Sequence, residues 1–222
     1  MSSEDTVFQY IEKAISEQRL PPGTRLREVQ LADIFGVSRA LIRKVLNRLV
    51  NAKLVEHRPH VGAQVACPSI EDSEDLFSTR KLLESAVVEQ LCQGINDAQV
   101  EQLRRYLAQE QQAYADGDIQ QGIRLSAGFH KQLAQLAGNR VIAGFLDEII
   151  NRTPLVMMSR HSSGHNGCVN DEHIRIVEAL EQGDCQSAQQ LMLEHLSQLQ
   201  NMFTMKPEPL PTDLQQIFKD TT

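Results

Sequence analysis

The sequence lacks a long hydrophobic run, a paired-cysteine motif and the common catalytic motifs. Its apolar stretches fall well short of the roughly 20 residues that a membrane-spanning helix needs. The polar, acidic start, Met1–Asp5, is unlike a signal peptide, so we expect none. No His-Glu-x-x-His, Ser-triad or phosphate-loop pattern is present. Without Cys-x-x-Cys spacing, the cysteines are predicted to be buried thiols in a reducing cytoplasm: Cys67, Cys92, Cys168 and Cys185.

Positive charge is concentrated at the start of the chain. Residues 1–66 hold 10 Lys and Arg against 7 Asp and Glu, a balance of +3. The remaining 156 residues hold 12 against 22, a balance of −10. The two parts are therefore expected to have different partners, since a phosphate backbone repels the acidic part.

The stretch from Gly36 to Val50 is typical of a helix-turn-helix. Gly36 suits the left-handed end of one helix, and Ser38 suits the N-cap of the next. The second helix has one apolar stripe at helical spacing: Ile42, Val45, Leu46, Leu49 and Val50. Its opposite face is polar and basic, as a helix that enters a major groove requires, and includes Ser38, Arg39, Ala40, Arg43, Lys44 and Asn47.

Periodicity alone leaves open the alternative of a solvated basic face, and the surrounding elements favour DNA. Helices are predicted at about 5–18 and 28–35, before this one, and short strands at 54–58 and 63–65, after it. This order is that of a winged helix. At the wing tip, His60 and Gly62 could reach a minor groove or a phosphate, unless the tip is an ordinary turn.

Residues 7–66 resemble the GntR family of bacterial transcription regulators. The resemblance rests on identities such as Leu20-Pro21-Pro22-Gly23, Gly36-Val37-Ser38-Arg39 and Gly62-Ala63. It departs from the family at Lys44-Val45, where Glu-Ala is usual, and at Val61, where many members are basic. The departure at Lys44-Val45 concerns which bases are preferred, and the departure at Val61 implies a weaker contact between the wing and DNA.

The rest of the chain has a helical pattern without strand signals. Six helices are predicted at about 71–93, 97–116, 118–137, 139–160, 169–182 and 184–203, and Pro154 should kink the fourth or interrupt its start. The fold class is thus mainly α: a winged helix-turn-helix domain at 1–66, a linker at 67–72, an all-helical effector and dimerisation domain at 73–203, and a Pro-containing tail at 204–222. We expect the tail to be frayed, although Leu214, Ile217 and Phe218 could dock one helical turn.

Three histidines, His130, His173 and His195, lie within predicted helices beside apolar residues. Spacing alone favours packed or surface histidines over metal ligands. However, residues 73–200 resemble the FadR C-terminal (FCD) effector domain through Arg80-x-x-Leu83-Glu84, Phe129-His130, Glu172-His173 and Gly183-Asp184. The resemblance implies a divalent metal, zinc or nickel, on the three histidines. Ser126 replaces the usual aspartate ligand, which implies a weaker site with open positions.

The same resemblance implies an effector site and a homodimer. Arg80 matches a cavity-facing arginine of the family, whose fork suits a carboxylate effector; the alternative is an exposed pair with Glu84. Arg152 is a second candidate for this cavity, and Ser126 would border it. A homodimer would bind a palindromic operator.

Three functions are considered. The favoured one is a DNA-binding regulator, a repressor of a metabolic operon, that responds to a small organic acid or a related metabolite. The second is a metal-dependent enzyme with a three-histidine site, which turnover screening would detect. The third is a DNA-architectural protein with an effector-blind pocket, which would not release DNA when a ligand binds.

Overall fold

The computed structural model describes residues 3–158, 171–201 and 213–219. Over these ranges it is helical apart from one two-stranded sheet, which confirms the mainly-α prediction. The chain divides into two compact units. The first unit comprises the described parts of 1–69, 151–161 and 205–222, and the second comprises those of 70–150 and 162–204. None of the described helices is both long and apolar enough to cross a membrane.

The first unit contains the predicted winged helix. Its elements are α1 Ser3–Ser16, α2 Glu28–Phe35, α3 Arg39–Asn51, β1 Val55–Arg58 and β2 Gly62–Val65. Gly36 adopts the left-handed conformation (φ 62°) and its N–H donates to the Ala32 carbonyl. The Ser38 hydroxyl accepts from the Leu41 N–H, so both cap predictions are confirmed.

The wing is anchored by the segment before α2, to which the sequence analysis assigned no helix or strand. The two strands are antiparallel, with Arg58 opposite Gly62. Gln64 of β2 also forms a bridge with Arg25 on its other side. The Leu26 N–H donates to the Ala63 carbonyl at 2.9 Å. The chain before α2 therefore acts as a short third strand and fixes the base of the wing.

The expectation of a frayed tail is wrong for residues 213–219. They form α10 Leu214–Ile217, capped by Asp213. Leu214 and Phe218 are buried in the core of the first unit, and the Phe218 ring lies 5.1 Å from that of Phe35. Their i, i+4 spacing places both on one face of a helical turn, so docking buries apolar surface that fraying would expose. The predicted tail residues 204–212 lie outside the described part.

One long helix, α7 Arg140–Met158, contributes to both units. It continues through Pro154, which removes the bond to the Ile150 carbonyl, and the division between the units falls directly after Ile150. Leu155 is fully buried in the core of the first unit. The sequence analysis placed this helix wholly in the effector domain.

The second unit is a helical assembly. Besides the first half of α7 it contains α4 Ile70–Cys92, α5 Asp97–Ala115, α6 Ile119–Leu136, α8 Glu172–Glu181 and α9 Cys185–Asn201. Two α6 glycines permit close approach to α5: a Cβ at Gly122 would lie 2.4 Å from the Tyr114 ring, and one at Gly128 would lie 1.9 Å from the Tyr106 hydroxyl. The predicted helix ends at 159–160, 169–170 and 202–203 lie outside the described residues.

The prediction of four buried thiols is wrong for three of the cysteines. Cys92 and Cys185 are joined by a disulfide, and Cys67 is free but exposed. The pairing joins positions 93 residues apart, so it depends on the packing of α4 against α9 and has no local signal. Cys168 lies outside the described residues.

Candidate metal centre and nucleic-acid interface

The second unit brings together the three predicted histidines, from three different helices. His130 on α6, His173 on α8 and His195 on α9 are 2%, 5% and 1% exposed. Their Nε2 atoms converge: His195 Nε2 lies 3.2 Å from His130 Nε2 and 3.3 Å from His173 Nε2. The cluster can offer one nitrogen from each ring to a single ion.

Each histidine is oriented by its own glutamate through the other ring nitrogen. His130 Nδ1 lies 2.5 Å from Glu84, His173 Nδ1 lies 3.0 Å from Glu110, and His195 Nδ1 lies 2.6 Å from Glu172. A carboxylate accepts the Nδ1–H, so the lone pair is left on Nε2. This carboxylate–histidine arrangement is the one that surrounds protein-bound metal ions.

The electrostatics of the cluster keep two rings neutral near pH 7. Burial lowers the pKa of His130 to about 4, despite the opposing charge of Glu84. Burial, with the neighbouring His173 and His130, lowers the pKa of His195 well below its usual value. Burial, the largest single effect, would raise the pKa of Glu84, but the charges and hydrogen bonds of Arg80 and His130 together outweigh it and lower that pKa to about 2. Glu84 is therefore ionised, as a hydrogen-bond acceptor for His130 must be.

The donor set fits a divalent metal ion. Neutral imidazoles that meet through Nε2 lone pairs repel one another unless a cation lies between them. Zinc–nitrogen bonds of about 2.0–2.1 Å in a tetrahedron place neighbouring nitrogens about 3.3 Å apart, close to the observed separations. Three nitrogens also leave at least one position open for an oxygen ligand.

The sequence analysis missed the role of the glutamates as partners of the histidines. A signal was available, because Glu84 and Glu110 occupy buried positions in the apolar stripes of α4 and α5. A carboxylate at such a position is rarely buried without a partner. Glu172 directly precedes His173 but contacts His195, which only the fold reveals.

The three residues predicted to bind the effector lie at different places in the structure. Arg80 is buried, and its Nε donates to Glu84 at 2.7 Å, so the pair is not the exposed one considered as the alternative. Ser126 is buried on α6 one turn before His130. Arg152 belongs to the first unit, whereas the histidines belong to the second. The effector roles of all three stay predictions.

A cavity of about 340 Å³ adjoins the histidine cluster between α5 and α8. Its lining includes His173 together with Glu110, Glu172 and Tyr114. The volume is within the range of small-metabolite sites, which begins at about 300 Å³. The cavity therefore lies where a small molecule would meet the outer side of the cluster.

The predicted DNA-reading face of α3 is solvent-exposed in the first unit. The exposed positions are Ser38, Arg39, Ala40, Arg43, Lys44 and Asn47. Arg48, in contrast, points to α1, where it pairs with Glu4 and Asp5 and stacks on Phe8. The two faces of α3 are thus distinct, and the outer one is available to a major groove.

One residue of that face is held by an ion pair. Arg43 donates from Nε and Nη2 to the two carboxylate oxygens of Glu28 on α2, at 2.9 and 2.8 Å. The hydrogen bond from Arg43 lowers the pKa of Glu28, despite some burial. The ion pair fixes the direction of the guanidinium, although both groups are partly exposed.

The wing tip has a strained backbone. His60 has φ 64° and Gly62 has φ 89°, and both residues are exposed. Glycine tolerates this region, whereas histidine adopts it at some cost. A DNA contact by His60 or Gly62 stays a prediction.

A winged helix with an exposed basic recognition helix, followed by a helical unit with a buried histidine cluster, is the architecture of a transcription regulator. Residues 3–65 match the family described as "Bacterial regulatory proteins, gntR family", and residues 75–198 match the FCD domain. The chain belongs to the GntR family of regulators, in the group that carries an FCD domain.

Relatives and solved structures agree with this assignment. LutR, an HTH-type transcriptional regulator of Bacillus subtilis, is 28% identical over 214 residues, which cover 86% of this chain and 96% of LutR. NanR, a transcriptional repressor of Enterobacter sp. (strain 638), is 27% identical over 87% of this chain and 82% of NanR. A GntR-type regulator from Rhodococcus sp. RHA1 has a TM-score of 0.78 at 26% identity, covering 90% of this chain and 97% of that one. The names of the family and of these relatives are those of transcription regulators, not of enzymes.

Proposed function

We propose that the protein is a dimeric cytoplasmic repressor of a metabolic operon, which releases DNA when a small organic acid reaches a metal-containing site. The observation that carries the sensing role is the convergence of three Nε2 atoms, each on a histidine oriented by a buried or half-buried glutamate. The Nε2 lone pairs of the three rings repel one another unless a cation lies between them, so we assign an ion to the site. Zinc or nickel suits three imidazoles.

The effector is proposed to complete the coordination of that ion. Three protein nitrogens leave positions that a carboxylate or hydroxyl oxygen can fill. Arg80 is the proposed partner of an effector carboxylate, and its ion pair with Glu84 places it beside the cluster. Ser126, buried one turn before His130, is too short and too weak a donor to occupy the position that aspartate would. The adjoining cavity suits a molecule of metabolite size.

DNA binding is assigned to the exposed face of α3. Arg39 and Arg43 are the guanine-reading candidates, and Lys44 and Asn47 extend the same face. Since one such helix covers a small footprint, two copies are needed for a specific operator.

Dimerisation is assigned to the second unit. Its exposed large apolar side chains include Leu82 on α4 and Val141 and Phe145 on α7, at 75%, 68% and 57%. Val141 and Phe145 share one face of α7, because they are four residues apart. A second copy of the chain would cover this apolar surface.

The test begins with selection of an operator from a random DNA library by the full chain. We expect an inverted repeat whose half-sites are about one helical turn apart. Zinc-loaded protein is then screened against small hydroxy acids and dicarboxylates for release of that operator. Selection of an isolated half-site by a monomer, or release that is unaffected by chelation, would contradict the proposal.

A further inference from the structure

A cysteine pair joins the ends of the two helices that frame the histidine cluster. Cys92 is the last residue of α4 and Cys185 is the first of α9, with their Cα atoms 5.5 Å apart and their sulfurs bonded. Both residues are partly exposed, so small reagents can reach the sulfurs. The bond closes a loop of 93 residues that contains His130 and His173.

The two helices run side by side and in opposite directions, and the disulfide lies at one end of their contact. At the other end, Lys81 Nζ donates to Gln200 Oε1 at 2.8 Å. Between the ends, Gln189 of α9 donates to the Ser85 carbonyl at 3.3 Å. Buried apolar side chains line both helices, among them Val88 and Leu91 of α4 and Ala188 of α9, and the disulfide adds a covalent bond at the end of α4 that follows Glu84.

Both helices hold parts of the histidine cluster. Glu84 on α4 orients His130, and His195 projects from α9. A small change in the separation of α4 and α9 therefore changes the distance between His130 Nε2 and His195 Nε2. The disulfide thus joins the two helices that carry Glu84 and His195.

A protein that binds bacterial DNA works where thiols are normally kept reduced, and disulfides there are usually transient and redox-sensing. We propose that Cys92 and Cys185 form a reversible thiol–disulfide site, oxidised by hydroperoxides, whose state tunes the histidine cluster. The inference rests on the proposed function only for the compartment in which the protein acts. Cys67 is exposed and unbonded, which makes it the natural control.

The chemistry balances with one hydroperoxide for each bond. One thiolate attacks the terminal peroxide oxygen, the O–O bond breaks, and an alcohol, or water from hydrogen peroxide, leaves. The second thiolate attacks the resulting sulfenic acid, forms the S–S bond and releases water. Two electrons pass from the sulfurs to the peroxide. A cellular dithiol returns them by thiol–disulfide exchange.

The first experiment maps the bond in the full chain. Protein reduced by an excess of glutathione is treated with equimolar hydrogen peroxide, alkylated and analysed by mass spectrometry. We expect Cys92 and Cys185 to be alkylated before treatment and bonded to each other after it, while Cys67 stays alkylated. A bond that persists in excess glutathione, that never forms, or that involves Cys67 or Cys168 instead would overturn the proposal.

The second experiment measures the consequence in both redox states. The oxidised wild type and Cys67→Ser should melt about 10 °C above their reduced forms, because the bond closes a long loop. Cys92→Ser and Cys185→Ser should show no such difference. Zinc affinity, with a phosphine reductant that does not bind the metal, should differ at least threefold between the two states of Cys67→Ser and not at all in Cys92→Ser. Equal affinities in the two states of Cys67→Ser would overturn the link to the cluster, and the melting and mass data stand even if no metal binds.

Discussion

The carboxylate of Glu84 lies 2.5 Å from Nδ1 of His130. Glu84 belongs to α4, which begins 60 residues before His130. The other oxygen of the same carboxylate accepts from Arg80 at 2.7 Å. All three side chains are buried. The arginine keeps the carboxylate ionised, and the carboxylate directs the lone pair of the histidine towards the other two rings. One buried ion pair thus orients a proposed metal ligand.

Base reading by α3 is tested by truncating its two arginines. Arg39→Ala and Arg43→Ala should each cost about 1–3 kcal/mol in specific binding, because each removes a side chain that can pair with a guanine. Fluorescence anisotropy with the selected operator and with variants at single positions measures both affinity and preference. His60→Ala should weaken binding to all sequences alike. Full selectivity in both arginine variants would show that another surface reads the bases.

The ion pair between Glu28 and Arg43 predicts a separate effect on specificity. Glu28→Gln removes the bidentate partner of Arg43 and one negative charge, so the Arg43 guanidinium can bind a DNA phosphate irrespective of sequence. We expect tighter binding to random DNA and a smaller ratio of specific to random affinity. Asp33→Asn changes the same charge on the same helix and is the matched control. If both variants behave alike, Glu28 acts through charge alone and does not position Arg43.

The docked C-terminal turn predicts a stability effect remote from the site. Phe218→Ala should lower the free energy of unfolding of the first unit by about 3–5 kcal/mol, because it leaves a cavity beside Phe35. Urea denaturation followed by circular dichroism measures this change. Gln215→Ala, at an exposed position of the same turn, should be nearly neutral. An effect below 1 kcal/mol for Phe218→Ala would mean that the turn is not docked in solution.

Much of the fold could be predicted from the sequence, because the residues that begin and end helices act locally. Gly36 and Ser38 define the turn before α3, and Asn96 caps α5. The division of α7 between two units could not be predicted, since a helix pattern does not say which core each turn enters. For the same reason the docking of Phe218 was weighed as the lesser alternative.

The site was predictable only in part. The three histidines were identified through resemblance, because spacing alone favoured isolated roles. Glu110 and the Cys92–Cys185 bond were missed, although Glu110 interrupts an apolar stripe. Their partners are 63 and 93 residues away, so only tertiary packing selects them.

The metal-free protein should lose stability as the pH falls from about 6.5 towards 4. In the folded state, burial holds the pKa of His130 at about 4 and that of His195 well below its usual value, so unfolding takes up protons over this interval. Glu84, with a pKa of about 2, adds a further loss below about 4.5. Glu172, whose pKa is raised by burial, opposes the trend. Urea denaturation at a series of pH values in chelator measures the slope.

A variant provides the control for this pH dependence. His130→Asn should flatten the slope between pH 6.5 and 4, whereas His57→Gln, at an exposed position of the wing, should leave it unchanged. Identical slopes in the wild type and His130→Asn would contradict the assignment of buried, neutral rings.

The metal content of the full chain, measured with its zinc affinity, tests the central claim most directly. Protein purified without chelator should contain about one zinc or nickel ion for each chain, and His195→Ala should contain none while still binding operator DNA. Glu110→Gln should weaken zinc about 10–100-fold in competition with a chromophoric chelator, because it replaces the charged acceptor that orients His173 with a neutral amide. Glu101→Gln, exposed on the same helix, should have no effect. If the wild type binds no ion at neutral pH, or binds it equally well after His195→Ala, the histidine cluster is not a metal site and the proposed sensing mechanism is wrong.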